Sequence, residues 1–253
     1  MQVYPLASGS TGNACLVREN HTAILIDAGI GPRLLNQRMK PFGTCLKELQ
    51  ACFFTHEHSD HIKALSTVTF PKDVTMVSNR QTWSAINHQI PKAQNYVYRP
   101  LDIGDMMTIG DLAVQSLPVS HDGVAPVGYL IHSRSGECLL YATDMGIPAP
   151  WLPQALTMAD YVVLESNHDV QMLQHGPYPW YLKQRVASQV GHLSNLQTGT
   201  LLAEYLTPKT KELYLAHLSQ TNNTPQLALE TVRQCLATSK HDVQQLRIHA
   251  ASP

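Results

Sequence analysis

A run of metal-ligand side chains, HEHSDH at residues 56–61, follows directly on the apolar residues 49–55 and limits the folds open to this chain. The apolar run predicts a buried strand, and in an extended segment alternate side chains share a face, so His56 and His58 point the same way. Asp60 and His61 come at the turn into the next helix and can face the same cavity from another side. Three imidazoles and one carboxylate within six residues suit a borderline divalent ion such as zinc, manganese or iron.

Other histidine-rich metal motifs do not fit this run. An HExxH zinc helix would need a histidine where Asp60 stands, and a zinc deaminase would need a PCxxC segment that the chain lacks. The alternative to a metal site is a polar loop rich in histidine by chance, which would leave six ligand-type residues in solvent without a role.

Short β-rich runs alternate with amphipathic helical patterns along the whole chain, without an internal repeat or a linker-like segment. Apolar residues make up 43% and charged residues 15% of the 253, which excludes disordered, collagen-like and coiled-coil chains. The patterns predict, among other elements, helices over 32–39 and 179–190 and a strand over 107–117. We expect one mixed α/β (α+β) domain over residues 1–253, a sheet sandwich with helices outside.

Charge and cysteine usage restrict the partners and the compartment. Lys and Arg total 18 against 19 Asp and Glu, so no basic field indicates a nucleic-acid binder, although a bound metal pair would add about four positive charges. The five cysteines form no CxxC pair, which is typical of reduced thiols in a cytosolic protein. Neither a signal peptide nor an apolar run of the ~20 residues that a membrane helix needs is visible. We expect a cytoplasmic protein without a membrane partner.

The HEHSDH run resembles the HxHxDH loop of the metallo-β-lactamase superfamily, whose fold is a four-layer αβ/βα sandwich. In that superfamily a second histidine, an aspartate and a third histidine, each at a strand end, complete a two-metal site. SLPVSHD, LLYATDMG and LYLAHLS offer these residues here, each after a strand-like run. The ligands that the resemblance implies are His56, His58 and His121 for one metal, Asp60, His61 and His217 for the other, and Asp144 as a bridge. The ILIDAG run would carry Asp27 as a support for the ligand loop.

Two departures separate the chain from the antibiotic-hydrolysing branch of that superfamily. Those enzymes have a cysteine where this chain has Asp144, and they lack a histidine that matches His61. The full ligand set is similar to that of the hydrolase and phosphodiesterase branches, which argues against β-lactam hydrolysis.

Seven further segments, in order along residues 8–223, are similar to the YycJ (WalJ) family. They are SGSTGNA, THEHSDHIKAL, VSHD, LESNHDVQML, GPYPWYLKQR, GHLSN and YLAHLSQTNN. Members of that family are cytosolic and degrade DNA with 5′→3′ polarity. The DNA substrate is implied only by this resemblance, whereas the metal-ligand pattern is visible in the residues themselves.

LVLESN and GHLSN are placed like two motifs of the related tRNA 3′-processing enzymes, in which a Glu–His pair protonates the leaving oxygen. The resemblance implies that Glu165 and His192 form this pair, and that both are catalytic together with Asp60. A carboxylate beside a histidine raises the pKa of the imidazole toward neutral pH, which suits a general acid. The alternative for His192 is a structural residue before a helix that Ser194 caps. His168 is interpreted as structural or supporting, with a variant metal ligand as the alternative.

Two weaker patterns concern the substrate. Ser8, Ser10, Thr11 and Asn13 lie in a glycine-containing loop that could receive an anion or could be a tight turn supporting the ligand loop. Tyr178, Trp180, Lys183 and Arg185 combine aromatic and cationic side chains, which suits stacking on bases. The alternative is that Trp180 and Lys183 pack on one amphipathic helix with Val186 and Val190.

Together these patterns predict a phosphodiesterase with two divalent metal ions, zinc or manganese with iron as an alternative. We expect a 5′→3′ DNA exonuclease that uses a hydroxide bridging the metals. Two alternatives stay open: a phosphodiesterase for small cyclic or nucleotide phosphates, and a non-catalytic metal-binding regulatory protein. The native metal, DNA against RNA, the polarity of digestion and the oligomeric state are left open by the sequence.

Overall fold

The computed structural model describes residues 1–67, 69–243 and 245–251. The chain forms two compact units, of which the first comprises Met1–Pro118 and Gly123–Gly136 and the second Val119–Asp122 and residues 137–251. Each unit mixes strands and helices, as predicted. The single domain over 1–253 stays a prediction, and residues 68, 244, 252 and 253 of that range lie outside the described residues.

The first unit is built on a six-stranded sheet whose strands follow chain order. They are β1 (Gln2–Ala7), β2 (Ala14–Glu19), β3 (Thr22–Ile26), β4 (Ala51–Phe53), β5 (Thr75–Ser78) and β6 (Tyr98–Pro100). β1 to β3 pair antiparallel, and β3 to β6 pair parallel. Three further strands pair antiparallel, namely β7 (Met106–Ile109), β8 (Leu112–Pro118) and β9 (Val127–Ser133). The helices are α1 (Pro32–Met39), α2 (Ser59–Ile62) and α3 (Arg80–Gln89).

Both faces of the six-stranded sheet are covered within the first unit. Leu25 of β3 belongs to a buried cluster that includes Leu35 of α1. On the opposite face of the pleat, Phe53 of β4 packs edge-on against Tyr129 of β9, with ring centroids 5.6 Å apart. The Tyr129 hydroxyl donates to the Phe54 carbonyl at 2.6 Å. Because burying a large apolar side chain contributes ~1.5–3 kcal/mol, these layers hold β4 and the start of the following loop in place.

The second unit contains four parallel strands, again adjacent in chain order. They are β10 (Cys138–Ala142), β11 (Tyr161–Glu165), β12 (Glu212–Ala216) and β13 (Arg247–Ala250). Its helices are α4 (Leu152–Met158), α5 (Val170–His175), α6 (Trp180–Val186), α7 (Asn195–Tyr205) and α8 (Pro225–Leu236). The Ser194 hydroxyl caps α7 by accepting the Gln197 N–H at 3.2 Å, as predicted. Because parallel strands end at one edge of a sheet, the residues that follow β10, β11 and β12 lie close together.

Some predicted elements differ from the structure. The single strand over 107–117 is wrong, because the chain turns at Gly110 and forms the separate strands β7 and β8. Gly110 has φ +55°, and a Cβ there would lie 2.1 Å from the Thr22 hydroxyl, so only glycine fits this turn. The helix over 179–190 is shorter than predicted and ends at Val186. Among the described residues, no helix has the length and apolar character that crossing a membrane requires.

Candidate metal site and catalytic residues

The HEHSDH loop leaves β4 and runs into α2 in the first unit. His56 and His61 are buried, whereas His58 and Asp60 are half-buried. The ring centroid of His56 lies 4.5 Å from that of His58 and 4.1 Å from that of His61. Asp60 Oδ2 lies 3.5 Å from His61 Nε2. The four side chains that the sequence predicts as ligands in this loop therefore come together.

Asp27 lies beneath the loop at the end of β3 and is fully buried. Its carboxylate is 2.8 Å from His61 Nδ1 and accepts hydrogen bonds of 2.9 Å from both the Thr55 backbone N–H and the Thr55 hydroxyl. The Thr55 hydroxyl is also 3.0 Å from His56 Nδ1. Burial raises the pKa of Asp27, and the adjacent His61 and Thr55 act to lower it. Partners at Nδ1 direct Nε2 toward the ligand position, so Asp27 has the supporting place predicted for it.

Asn13 and Gly29 hold the other side of the loop. A Cβ on Gly29 would lie 1.6 Å from the Asp60 carbonyl oxygen, so the two segments touch through their backbones. The Asn13 N–H donates to the same carbonyl at 2.8 Å. The Asn13 amide nitrogen lies 3.2 Å from Asp60 Oδ2 and 3.0 Å from His61 Nε2. Asn13 therefore supports predicted ligands, which favours the supporting-turn alternative over the anion contact for this residue.

Three predicted site residues stand at the carboxyl ends of neighbouring parallel strands in the second unit. Asp144 follows β10, Glu165 ends β11, and His217 follows β12. Asp144 and His217 both have φ +56°, a conformation that costs a non-glycine residue ~1–2 kcal/mol and concentrates at functional sites. His217 Nε2 lies 3.3 Å from Asp144 Oδ1. Four candidate ligand atoms lie within 4.8 Å of one another, one each from Asp144, Glu165, His192 and His217. This spacing fits donor atoms around a divalent ion.

His121 belongs to the same unit and is buried. Its Nε2 lies 3.8 Å from Asp144 Oδ1, and its Nδ1 lies 3.2 Å from the Gly191 carbonyl. Burial lowers the pKa of His121, which favours the neutral imidazole that metals bind. Asp122 Oδ1 lies 3.3 Å from His121 Nε2, and Arg185 pairs with Asp122 at 2.6 Å. Arg185 is thus tied to the neighbour of a predicted ligand.

Glu165 and His192 are in direct contact. Glu165 Oε1 lies 2.7 Å from His192 Nδ1 and 3.2 Å from His217 Nδ1. Its Oε2 accepts the backbone N–H groups of Met145 at 2.8 Å and Leu193 at 3.1 Å. Burial alone would raise the pKa of Glu165, but the two imidazoles lower it well below its usual range. The structure therefore brings together the pair that the sequence predicts, and it adds a contact to His217 that the sequence did not indicate.

His168 is buried and belongs to none of the ligand clusters found among the described residues. Burial lowers the pKa of His168 to about 4. Its carbonyl accepts the Asn195 N–H at 2.9 Å, beside a buried amide network in which Asn223 donates to the carbonyls of Ser166 and Asn167 at 2.9 and 3.0 Å. These contacts favour the structural interpretation of His168. The residues of this network lie far apart along the chain, so the sequence did not indicate it.

Helix α6 carries Trp180, Lys183 and Arg185 of the predicted aromatic and cationic side chains, whereas Tyr178 precedes the helix and is half-buried. Trp180 is 72% exposed, so the alternative in which it packs against the protein is wrong, whereas Val186 is buried as that alternative requires. Tyr181, which the sequence did not single out, is 73% exposed. The Lys183 ammonium donates to the Gln174 carbonyl at 2.8 Å. The first two residues of α6 are therefore aromatic and exposed, whereas the cationic residues that follow are bonded to neighbouring groups.

Comparison with known proteins adds a family and a fold. Residues 22–218 match the model of the beta-lactamase superfamily domain. The chain is 37% identical to exodeoxyribonuclease YycJ of Bacillus anthracis, over 98% of this chain and 94% of that protein. It is 33% identical to exodeoxyribonuclease WalJ of Streptococcus pneumoniae, over 92% and 87% of the two chains. The crystal structure of the metallo-beta-lactamase fold protein YhfI from Bacillus subtilis superposes with a TM-score of 0.70 at 14% identity, covering 99% of this chain and 97% of that one. The fold class predicted from the sequence is confirmed.

Proposed function

Since the chain belongs to the beta-lactamase superfamily, and within it to the family of the YycJ and WalJ proteins, we propose that it is an exodeoxyribonuclease. Membership makes it a metal-dependent hydrolase, as predicted. The observation that carries the DNA substrate is the relation to YycJ, which extends over nearly the whole of both chains. The 5′→3′ polarity belongs to the same proposal and rests on the resemblance of the sequence motifs.

Two divalent ions are the cofactors in this proposal. The seven ligands share a position at a strand end or in the loop that follows it, and they are His56, His58, Asp60, His61, His121, Asp144 and His217. Five imidazoles and two carboxylates suit zinc or manganese, with iron as the alternative. Bound ions would polarise a phosphoryl oxygen and lower the pKa of water at the site. Asp60 acts in catalysis as one of these ligands.

His192 acts as the general acid in this proposal. Glu165 holds His192 Nδ1 at 2.7 Å, so Nε2 is the atom that gives a proton to the leaving oxygen. The His192 side chain keeps 17% exposure, whereas the Glu165 side chain has none, which gives only the imidazole access to a substrate. The low pKa of Glu165 keeps it ionised, so a buried carboxylate accepts the His192 Nδ1–H and orients the ring.

We propose the cytoplasm as the compartment, and the state of the thiols supports it. All five cysteines are free, and Cys15, Cys52 and Cys138 are buried. Burial raises the pKa of Cys15, Cys52 and Cys138, which keeps these thiols protonated and unreactive. A chain of this kind suits the reducing cytoplasm, where its DNA substrate is found.

A second candidate is a phosphodiesterase that acts on small cyclic or nucleotide phosphates. The net charge of −1 favours it, because nonspecific DNA binding grows with the number of phosphates that a protein neutralises. A regulatory protein that only binds metal is less consistent with the contact between Glu165 and His192, since a structural metal site needs no general acid.

The test uses metal-loaded protein on end-labelled linear DNA, on a covalently closed circle of the same sequence, and on a cyclic nucleotide. We expect products that shorten from the 5′ end of linear DNA, an intact circle, and loss of activity with a chelator. Cleavage of the circle at a comparable rate would replace the exonuclease with an endonuclease. Brisk hydrolysis of the cyclic nucleotide without DNA degradation would favour the second candidate, and no turnover at all would favour the regulator.

A further inference from the structure

Trp180 and Tyr181, at the start of α6, are the two most exposed large hydrophobic side chains among the described residues, at 72% and 73%. We propose that they form a stacking platform for unpaired bases of the DNA strand that the enzyme degrades. The inference rests on the proposed function and adds to it a binding site and a preferred form of substrate.

Packing does not account for this pair. The contacts that attach α6 to the second unit come from its other residues, with Val186 buried and Lys183 and Arg185 bonded to Gln174 and Asp122. An indole and a phenol at consecutive positions of α6 both expose apolar surface to water, and exposed apolar patches mark interaction sites. Consecutive helical side chains diverge by ~100°, so a partner with several flat apolar faces would cover the rings one at a time.

The platform is close to the proposed general acid along the chain. Helix α6 rises ~1.5 Å per residue, so Trp180 and Val186 are ~9 Å apart along its axis. The Val186 carbonyl accepts the His192 N–H at 2.9 Å, which joins the end of α6 to the catalytic segment. Arg185 joins the same helix to His121 through Asp122. At ~3.4 Å per stacked nucleotide, ~9 Å corresponds to two or three bases.

The near-neutral net charge of the chain explains why base stacking would be needed to bind DNA. The chain has a net charge of −1, and the Arg185 guanidinium on this helix is already paired with Asp122. Phosphate contacts from the side chains of α6 therefore contribute little, while base–aromatic stacking is tolerant of sequence and needs no charge. Bases inside a duplex do not offer their faces, so the platform selects single-stranded DNA or a frayed end.

The experiment compares the metal-loaded parent with W180A, Y181A and the double variant, and with M106A as a control. Met106 is 57% exposed and belongs to the first unit, so M106A removes an exposed apolar side chain that is not part of α6. Binding is measured with a nuclease-resistant phosphorothioate oligothymidylate, and turnover with single-stranded DNA and with bis(p-nitrophenyl) phosphate. We expect Kd for the oligonucleotide to rise roughly five- to hundredfold for each lost ring. Kcat/KM on single-stranded DNA should fall by a similar factor, with the small diester hydrolysed at the parental rate.

Tryptophan fluorescence gives a readout that does not depend on activity. The chain has three tryptophans, of which Trp83 is buried and Trp151 half-buried, so Trp180 is the most exposed of the three. Oligothymidylate should quench the emission of the parent and of Y181A, and it should leave that of W180F unchanged. W180F should keep most of the affinity, because a phenyl ring still stacks.

Three results would overturn the platform: unchanged DNA binding in the double variant, an equal loss on DNA and on the small diester, or a parental dimer that the double variant dissolves. Unchanged binding would show that the rings do not contact DNA, and an equal loss on both substrates would indicate damage to the fold. Loss of a dimer would show that the rings serve self-association. Failure of the proposed function looks different, because the parent itself would then leave linear DNA intact, whether or not it hydrolyses the small diester.

Discussion

Replacing Glu165 with glutamine changes one atom in a fully buried side chain, and its effect can be worked out from four hydrogen bonds. Glu165 accepts two from backbone N–H groups, at Met145 and Leu193, and two from imidazole Nδ1 atoms, at His192 and His217. A glutamine offers one acceptor oxygen and one NH₂ donor. Backbone N–H groups cannot change, so the oxygen should turn to them and the NH₂ group to the imidazoles.

Both imidazoles must then accept at Nδ1 and carry their hydrogen on Nε2. That tautomer removes the His217 nitrogen that a metal needs, and the substitution removes the carboxylate that orients His192 through Nδ1. Two hydrogen bonds to a charged group, worth about 1.5–3 kcal/mol each, are replaced by weaker neutral ones. We expect metal affinity at the His217 site to fall roughly 10–100-fold and hydrolysis at saturating metal to fall a further 10²–10⁴-fold.

The assay measures metal content and chelator-competition Kd for E165Q, followed by kcat on a diester at saturating metal. NMR of the imidazole nitrogens reports the tautomers directly. E137Q is the matched control, because Glu137 is half-buried, pairs with Lys211 at 2.6 Å and is not one of the predicted ligands. Parental metal affinity together with parental kcat in a folded E165Q protein would refute the reasoning. Loss of kcat alone would limit Glu165 to its action through His192.

Three further substitutions test the same site. D144A should lose at least one metal and nearly all hydrolysis, and one tightly bound ion with full activity in the parent protein would contradict a two-metal site. H192A should keep its metals but hydrolyse a substrate with a poor leaving group roughly 10²–10⁴-fold more slowly. A substrate that releases p-nitrophenolate should be hydrolysed at nearly the parental rate, because this leaving group needs no proton. Equal damage on both leaving groups would instead indicate a structural role. G29A should lower both Tm and metal content, since its Cβ would lie 1.6 Å from the Asp60 carbonyl, whereas G31A should be neutral because nothing lies within 4 Å of its Cβ.

The sequence alone determined the ligand loop and the strand ends. HEHSDH is one short segment after an apolar strand and is visible by itself, whereas Asp144, Glu165 and His217 were marked by the resemblance of the motifs around them, each placed after such a run. Parallel pairing of the strands then places their carboxyl ends at one edge, which is a general property of such sheets. The fold class could be predicted for the same reason, because the order of motifs along the chain reflects the order of strands.

Tertiary structure alone decided which side chains touch and which stay in solvent. The bond from Glu165 to His217 joins residues 52 positions apart, and the Gly29 backbone meets Asp60 only because two distant loops pack closely. The spacing of Trp180 and Val186 is typical of one packed face of a helix. Trp180 is nevertheless exposed, because α6 attaches to the second unit through its other residues. The local spacing of residues specifies whether a segment forms a strand or a helix and which reactive side chains it holds. Which of these side chains are buried, and what they contact, depends on residues that lie far away in the chain.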